Sequence, residues 1–293
     1  MKLAANGLQL EVDIQGPPGA EPLLLVMGLG MQLTGWPEAL VADLVARGFC
    51  VIRLDNRDAG LSQGFDEAGV PSLWRAAMRH TLHLPVRAPY GLADMAADAL
   101  GVLDALGVRS AHVCGASMGG MIAQHLAARH PQRVRSLTLM MTTSGARHLP
   151  QPRPAVQLAL MARPRSDAQA DVVAHLEKLL RLIGSPAYPA DPVLLRQRLQ
   201  DTVQRAFRPQ GTARQLLAVA ADGDRSPLLG AIQAPTLVLH GLADPLVPPA
   251  AGQHLQQLIR HATLDLVPGM GHDLPNELLP RMAQGIAALA GRR

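Results

Sequence analysis

The N-terminal part of the chain alternates short apolar runs with segments of helical periodicity. Residues 8–14 alternate apolar and polar side chains, which is typical of a strand with one exposed face. The runs at 23–27 and 50–54 are almost continuously apolar, as in strands covered on both faces. Residues 36–47 have helical spacing and stop before Gly48. This alternation predicts a parallel sheet with helices on both faces.

The same pattern continues to about residue 142 and returns near the C-terminus. It predicts helices over 92–106, 121–129 and 278–289, and strands over 111–114, 134–141, 235–240 and 263–267. The stretch 143–226 is different, because it has helical runs at 168–183, 192–207 and 212–221 and no buried-strand run. We therefore expect residues 1–142 and 227–293 to form one α/β core, and residues 143–226 to form a helical cap inserted into it.

Charge and composition narrow the classes of function. The chain has 27 basic and 23 acidic residues, and the arginines are scattered rather than interleaved with aromatics, which disfavours nucleic-acid binding. No apolar segment approaches the ~18 residues needed to span a membrane, and the N-terminus lacks a signal-peptide pattern. We expect a cytoplasmic protein without an integral membrane span. The sequence leaves open whether it is a monomer or a homodimer.

Three residue types bear on candidate chemistry. Aromatic residues are only 2% of the chain while there are 12 methionines, so a pocket would be lined by aliphatic and thioether groups. Cys50 and Cys114 fall in strand-like runs and are expected to be buried, inert thiols rather than a disulfide. His80 and His83 lack further potential ligands nearby, so we expect no metal ion and no cofactor.

The most informative segment is Gly115-Ala116-Ser117-Met118-Gly119, which lies between a predicted strand and a predicted helix. A Gly-x-Ser-x-Gly pattern in that context predicts a tight turn that exposes the serine hydroxyl at the N-terminus of the helix. The glycines would let the chain pass through the turn without Cβ clashes. Ser117 could instead be an ordinary helix N-cap, but the partners downstream favour a nucleophile.

A serine hydroxyl needs a base, and the base needs a group that fixes its tautomer. Asp244 follows the predicted strand 235–240, and His272 follows the predicted strand 263–267. Both positions suit loops at the carboxyl ends of strands, in the chain order serine, acid, histidine. Asp244 could be only a turn residue beside Pro245, and His272 could be a surface histidine. The alternative acids are Asp222, Asp224 and Asp273.

Hydrolysis also needs donors for the oxyanion, which are usually two backbone N–H groups. One candidate is the N–H of Met118, directly after the nucleophile. The other is the N–H of Leu29 in the loop after the strand 23–27, where Gly28 and Gly30 would let the backbone turn towards the site. This glycine-rich segment could also be a simple turn.

These motifs together resemble the α/β-hydrolase superfamily over nearly the whole chain. The matching segments, in chain order, are Met27 to Gly30, Asp55 to Ser62, the elbow at Ser117, Gly241 to Asp244 and Gly269 to His272. Met-Gly in the oxyanion loop and the Asp-x-Arg-Asp segment ending at Asp58 are similar to the branch of aclacinomycin methyl esterase and related bacterial carboxylesterases. Many superfamily members carry glycine where Asp58 stands.

The resemblance implies an eight-stranded, mostly parallel sheet with an inserted cap, and no cofactor. It implies a catalytic triad of Ser117, Asp244 and His272 with an oxyanion hole at Leu29 and Met118. The substrate of the anthracycline methyl esterase does not carry over with the resemblance. The aliphatic, methionine-rich pocket expected from the composition instead suggests hydrolysis of small apolar or methyl carboxylic esters, with a small-molecule ester as the partner. C–C bond hydrolysis, lactone hydrolysis and perhydrolysis on the same residues stay open, as does a non-catalytic ligand receptor. Epoxide hydrolases and haloalkane dehalogenases are disfavoured because they place a carboxylate where Ser117 stands.

Overall fold

The computed structural model describes residues 1–82 and 84–291, and within them one sheet of eight strands runs through the molecule. The strands are β1 (Lys2–Ala5), β2 (Leu8–Gln15), β3 (Glu21–Val26), β4 (Phe49–Leu54), β5 (Ala111–Ala116), β6 (Val134–Met140), β7 (Thr236–Gly241) and β8 (Ala262–Val267). Their order is β1-β2-β4-β3-β5-β6-β7-β8. Only the β1–β2 and β2–β4 pairs are antiparallel, so the prediction of a mostly parallel sheet is confirmed.

Helices fill the connections between the strands. They are α1 (Glu38–Ala46), α2 (Leu73–Thr81), α3 (Leu92–Ala105), α4 (Met118–Arg129), α5 (Pro154–Met161), α6 (Gln169–Ile183), α7 (Pro192–Arg205), α8 (Pro209–Asp222), α9 (Ser226–Leu229), α10 (Ala250–Leu258) and α11 (Leu279–Leu289). Short 3₁₀ turns lie at Leu33–Gly35, Asp66–Ala68, Pro131–Arg133 and Asn276–Leu278.

Alternate residues of the central strands feed two separate hydrophobic cores. Leu24 and Val26 of β3 pack with apolar residues of α3, α4 and α10 on one face of the sheet. Leu23 and Leu25 point to the other face, where residues of α1 and α11 cover them. Burial on both faces explains why this strand reads as one continuous apolar run. The layered arrangement leaves the carboxyl ends of the parallel strands free to carry the functional loops.

Several elements differ from the sequence pattern. Strand β1 and helices α2, α5 and α10 were not predicted, and α4 begins at Met118 rather than at residue 121. Gly119 and Gly120 weaken the helical signal there, yet the turn at Ser117 leads directly into the helix. The stretch between β6 and β7, all of it described, contains helices α5 to α9 and no strand. The division into core and cap stays a prediction.

Both cysteines carry free thiols. Cys114 is fully buried on β5, and burial raises the pKa of its thiol far above the ordinary value. Cys50 on β4 is only half-buried, so the expectation of a fully buried thiol is wrong there. In the described part of the chain, no helix combines the length and the apolarity that crossing a bilayer requires.

Candidate active site

Ser117 occupies a strained turn between β5 and α4. Its backbone has φ +53° and ψ −119°, and positive φ is uncommon for a residue with a side chain. The Ser117 N–H donates to the carbonyl of Met140 on the neighbouring strand (2.9 Å), and the Thr142 hydroxyl donates to the Ser117 carbonyl (2.7 Å). These two hydrogen bonds tie the turn to the end of β6 and maintain the unusual conformation.

Close packing of backbone around the turn requires small residues. A Cβ on Gly119 would overlap the carbonyl oxygen of Val26 at the end of β3, and a Cβ on Gly115 would overlap the carbonyl of Gly119. Helix α4 can therefore begin against the sheet only because both positions lack a side chain. This contact explains the spacing of the two glycines around Ser117.

The structure brings Ser117, His272 and Asp244 together although 155 residues separate the serine from the histidine. The Nε2 atom of His272 lies 3.0 Å from Ser117 Oγ, and its Nδ1 atom lies 2.7 Å from Asp244 Oδ2. His272 and Asp244 are buried, whereas Ser117 is half-buried. The backbone N–H of His272 also donates to the carbonyl of Ile183 at the end of α6 (2.7 Å). The loop that carries the ring is thus fixed to the helical insert.

The surroundings of Asp244 determine the tautomer of His272. Asp244 Oδ1 accepts hydrogen bonds from the N–H groups of Leu246 (2.9 Å) and Val247 (2.8 Å), so Oδ2 faces the ring. A carboxylate can only accept, and the Nδ1 atom must therefore carry the proton in this pair. The Nε2 atom of neutral His272 is then an acceptor directed at the Ser117 hydroxyl. This arrangement can remove a proton from Ser117 Oγ.

A second histidine supports the same loop. His240 is the next-to-last residue of β7 and is fully buried, and its Nε2 atom lies 2.8 Å from the Val247 carbonyl and 3.7 Å from Asp244 Oδ2. Burial lowers the pKa of His240, which keeps the ring neutral with the Nε2 proton directed to that carbonyl. The Val247 N–H in turn donates to Asp244 Oδ1. His240 thus helps to hold the acid loop in shape.

The residues with the two predicted oxyanion donors adjoin Gly28 and Ser117 in sequence. Gly28 lies so close that a Cβ there would be 3.2 Å from Ser117 Cβ. The Met31 N–H donates to the Gly28 carbonyl (3.2 Å), which makes Gly28 to Met31 a turn that contains Leu29. Met118 is the first residue of α4. Within the described residues, neither the Leu29 N–H nor the Met118 N–H donates to another protein group. Their role as donors stays a prediction.

The alternative acids lie elsewhere or face other partners. Asp222 Oδ1 lies 2.8 Å from His125 Nε2, and Asp224 accepts from the Ser226 N–H (2.9 Å). Asp273 adjoins His272 in sequence but accepts hydrogen bonds from the N–H and the hydroxyl of Ser185. Burial raises the pKa of Asp273. Of the four candidate carboxylates, Asp244 is the one bonded to the His272 ring.

The loop after β3, which contains the predicted donor Leu29, is held by side chains that the sequence reasoning missed. The Gly30 N–H donates to Gln215 Oε1 (2.8 Å), and Gln215 Nε2 donates to the carbonyl of Arg57 (2.7 Å). The Gln32 amide donates to the carbonyls of Thr202 and Ala206 at the end of α7. These bonds connect the loop to both α7 and α8 of the helical insert.

The segment after β4 is fixed to the insert through Asp58. This residue has φ +67°, a backbone conformation in which glycine is the unstrained choice. Its buried carboxylate accepts two hydrogen bonds from Arg214 (both 2.8 Å) and one each from the Tyr90 hydroxyl (2.7 Å) and the Phe65 N–H (2.9 Å). These hydrogen bonds hold the pKa of Asp58 below its usual value although burial opposes them.

One signal could have found these residues. In α8 the positions 211, 214, 215 and 218 are buried and follow helical spacing, yet two of them are Arg214 and Gln215. Polar side chains on an apolar stripe must find partners when buried. The sequence alone does not say which loop supplies those partners.

The remaining sequence predictions concern metal binding and methionine. The His80–His83 pair includes His83, which lies outside the described residues. Across the described residues there is no cluster of three or more His, Cys, Asp or Glu suited to a metal ion. Several methionines near the elbow, namely Met27, Met118, Met140, Met141 and Met270, are buried in the two cores. A methionine-lined substrate pocket stays a prediction.

Comparison with known proteins places this geometry in a family. A family model described as the alpha/beta hydrolase fold matches residues 21–275. The chain belongs to this α/β-hydrolase family. Its members' fold agrees with the sheet order and the strand–turn–helix at Ser117 described above, and the sequence-based prediction of the fold is confirmed.

Individual relatives of this α/β hydrolase extend over nearly the whole chain. It is 31% identical to the rhodomycin D methylesterase of Streptomyces sp. (strain C5), over 93% of this chain and 92% of that protein. It is 29% identical to the 2-hydroxy-6-oxononadienedioate/2-hydroxy-6-oxononatrienedioate hydrolase of Paraburkholderia xenovorans (strain LB400), over 87% and 81%. The expected likeness to a methyl esterase branch is confirmed.

A solved structure supports the same fold. The meta-cleavage product hydrolase from Pseudomonas fluorescens IP01 superposes with a TM-score of 0.77 at 19% identity, covering 99% of this chain and 97% of that chain. At this identity the likeness concerns the fold alone. Together, the family match and the relatives establish that this α/β-hydrolase family member is a hydrolase.

Proposed function

We propose that this protein is a serine ester hydrolase that cleaves small apolar or methyl carboxylic esters. The observation that carries the proposal is the continuous hydrogen-bond chain Ser117 Oγ, His272, Asp244, with distances of 3.0 and 2.7 Å. A hydroxyl, an imidazole and a buried carboxylate in this order make a nucleophile, a general base and an orienting acid. The strained φ of Ser117 supports the same assignment, since such strain persists where surrounding contacts maintain it.

In the acylation step, His272 Nε2 accepts the proton of the Ser117 hydroxyl as Oγ attacks the ester carbonyl carbon. The carbonyl π bond breaks and its electrons form the oxyanion of a tetrahedral intermediate. His272 then donates the proton to the departing alcohol oxygen as the ester C–O bond breaks. Asp244 does not take the proton; it stabilises the imidazolium that forms between the two transfers.

The oxyanion would be bound by the N–H groups of Leu29 and Met118. Their lack of a protein acceptor in the described residues, and the position of Gly28 against Ser117, support this role. Met118 also begins α4, whose N-terminus favours negative charge. Loss of one such donor typically removes ~3 kcal/mol of transition-state stabilisation.

In the deacylation step, water is the nucleophile and Ser117 Oγ is the leaving group. His272 accepts a proton from water as its oxygen attacks the acyl carbon. The tetrahedral intermediate collapses, the acyl–Oγ bond breaks, and His272 returns a proton to Ser117 Oγ. The products are a carboxylic acid and an alcohol, and neither step calls on a cofactor.

Relatives support the ester class, and the helical insert supports a cap. The 31% identical relative is a methylesterase, which favours methyl esters among the possible substrates. We propose that residues 143–226 form a cap over the site, because Ile183 of the insert bonds to the His272 backbone and Gln215 bonds to the oxyanion loop. The substrate's acyl group would then enter between the insert and the strand ends.

A second candidate is C–C bond hydrolysis by the same residues. It is favoured by the 29% identity to a 2-hydroxy-6-oxononadienedioate hydrolase. His272, oriented by Asp244, could donate its proton to a carbon leaving group as well as to an alcohol oxygen. These three residues alone therefore do not distinguish C–C bond hydrolysis from ester hydrolysis.

A substrate comparison tests the assignment. The purified protein is assayed with p-nitrophenyl esters of increasing acyl length, with aromatic methyl esters, and with a ring-fission dienoate. We expect kcat/KM to be highest on the esters and to fall by about 10³-fold or more in Ser117→Ala. Faster cleavage of the dienoate would replace the esterase assignment by C–C hydrolysis. Tight binding of an intact ester without turnover would instead indicate a receptor.

A further inference from the structure

Helix α2 and its flanks form an exposed apolar stripe. Val70, Trp74, Met78 and Leu82 follow one another at intervals of four residues, and between 45% and 66% of each residue is exposed to solvent. A spacing of four places successive side chains on one side of a helix. The opposite side holds Ala76, which is buried where α2 packs against α8. Trp74 and Met78 therefore lie on the outward face of α2, Val70 lies in the segment before the helix and Leu82 directly follows it, and α2 is held to the molecule on the opposite side.

Positive charge borders this stripe. Residues 68–93 contain three arginines, Arg75, Arg79 and Arg87, and no aspartate or glutamate. The three arginines line a groove of ≈ 720 Å³ between α2 and residues 86–89. In the described part of the chain none of them forms a salt bridge, and the one hydrogen bond from their side chains runs from Arg79 Nε to the Pro85 carbonyl (2.7 Å). Their charges are thus available to an external anion.

We propose that α2, with the adjoining segment to Arg87, is a docking surface for an anionic lipid bilayer. An amphipathic helix with tryptophan and aliphatic residues on one face and arginines beside them lies in the plane of a membrane interface. Lipid phosphates would bind Arg75, Arg79 and Arg87, while Trp74, Met78 and Leu82 would insert among the upper acyl chains. The indole ring suits the headgroup region because it joins an apolar body to one N–H.

Charge argues against a second copy of the chain on the same surface. A two-fold contact between copies would bring the stripe of one molecule onto the stripe of the other. Arg75 and Arg79 of both molecules would then be brought close together, and the repulsion between their like charges is unfavourable. An anionic bilayer has an apolar interior that would accept the stripe and negatively charged headgroups that would bind the arginines.

Docking at α2 would also place the helical insert next to the bilayer. Helix α2 packs against α8, and α8 carries the Gln215 side chain that holds the Gly30 N–H. A bilayer bound at α2 would therefore lie on the side of the helical insert rather than on the side where β5 begins.

The two tryptophans of the chain give a built-in assay. Trp36 is completely buried in the core, whereas 66% of Trp74 is exposed. A change of tryptophan emission on adding vesicles therefore reports on Trp74. The full-length protein is mixed with phosphatidylcholine vesicles that contain phosphatidylglycerol, and separately with phosphatidylcholine vesicles alone. Binding is measured by flotation, and emission is followed in the same samples.

We expect a blue shift and flotation with the anionic vesicles only, and a loss of both at high salt. Trp74→Phe should keep binding and lose the shift. Arg75→Glu with Arg79→Glu should lower the partition coefficient by about thirtyfold or more, because the loss of each basic residue near an anionic surface weakens binding about fivefold and the new carboxylates are repelled. Arg129→Glu with Arg260→Glu makes the same charge change at two exposed residues, the last residue of α4 and a residue just after α10, and should bind like wild type.

Three outcomes would overturn the proposal. They are absence of flotation with anionic vesicles, equal binding to neutral vesicles, and equal losses in the two double variants. A homodimer in sedimentation that Trp74→Ser with Met78→Ser dissociates would assign the surface to a second copy instead. Melting temperature and turnover of a water-soluble ester, measured on every variant, show that the variants are folded.

Discussion

Gln215 Oε1 accepts a hydrogen bond from the Gly30 N–H at 2.8 Å, across 185 residues of sequence. The same amide donates to the Arg57 carbonyl at 2.7 Å. One side chain of helix α8 therefore fixes both the loop that contains Leu29 and the loop that follows β4. If the Leu29 N–H binds the oxyanion, Gln215 is a positioning residue for that donor.

Replacing Gln215 by leucine should lower kcat by about tenfold to a hundredfold, because misplacement of a catalytic group by ~1 Å can cost about 10²-fold. KM should change little, since the lost contact matters in the transition state. Steady-state kinetics on a p-nitrophenyl ester would measure both constants. Gln215→Glu keeps the acceptor for the Gly30 N–H and should restore part of the activity.

Gln124→Leu is the matched control for general destabilisation. Gln124 is another fully buried glutamine, and it bonds to the Thr143 carbonyl and Arg225 rather than to the oxyanion loop. Equal kcat losses in the Gln124 and Gln215 variants would mean that Gln215 acts only through stability.

Replacing Asp244 by asparagine should reduce kcat by about 10⁴-fold, because the amide favours the wrong tautomer of the histidine. Asp224→Asn and Asp273→Asn are the comparisons, since these carboxylates bond to Ser226 and Ser185 rather than to His272. Both should retain most of the wild-type kcat. A loss in Asp273→Asn as large as that in Asp244→Asn would transfer the role of the acid to Asp273.

The elbow itself could be derived from sequence because its constraint is local. The spacing of Gly115 and Gly119 around Ser117 predicts a tight turn. The structure shows the backbone carbonyls that a side chain at either glycine position would overlap. The positions of the loops that carry Asp244 and His272 were also predictable, because each loop follows an apolar strand whose end is visible in the sequence pattern. The parallel sheet brings those ends to one edge, which places Asp244 and His272 near Ser117.

The contacts between insert and core could not be derived in this way. Arg214 and Gln215 look like ordinary surface residues of an amphipathic helix until α8 is placed against the loops after β3 and β4. Helix α2 was missed for a related reason, since its exposed stripe at 70, 74, 78 and 82 gives no clear apolar face towards a core. Pairings of this kind depend on tertiary placement rather than on local pattern.

Gly119→Ala should destabilise the protein by about 3 kcal/mol, because the new methyl group would overlap the Val26 carbonyl and neither backbone can move freely. Urea unfolding would measure the loss. Gly230→Ala is the control, since a Cβ there meets no atom within 4 Å and φ is −64°. If the two variants unfold at the same urea concentration, the inference that α4 and β3 lie too close together for a side chain at position 119 is wrong.

Replacing Asp58 by alanine should cost about 3–5 kcal/mol of unfolding free energy, because it leaves the buried Arg214 guanidinium without its main partner. Asp66 also bonds to Arg214 but is itself largely exposed. Asp66→Ala should therefore cost less than about 1 kcal/mol. Similar losses of unfolding free energy in the two variants, measured by chemical unfolding, would contradict the inference that Asp58 is the main partner of Arg214.

The depressed pKa of Asp58 also predicts how this stability depends on pH. The native state holds the carboxylate ionised to lower pH than the unfolded chain does, so the native state binds fewer protons in that range. The contribution is complete above the unfolded-state pKa of about 3.9 and is lost as the pH falls through the lower native value. The stability difference between wild type and Asp58→Asn should therefore be constant near neutrality and shrink below about pH 4. If the stability difference between wild type and Asp58→Asn grew as the pH fell, the predicted direction of the pH dependence would be contradicted.

The central claim is that the Ser117 hydroxyl forms the acyl-enzyme. The most direct measurement combines labelling by a fluorophosphonate with ester turnover in wild type and in Ser117→Ala. The account predicts one labelled serine, at position 117, and a loss of kcat/KM by about 10³-fold or more in a variant that melts like wild type. Wild-type turnover in Ser117→Ala, or stoichiometric labelling at a different serine, would contradict it.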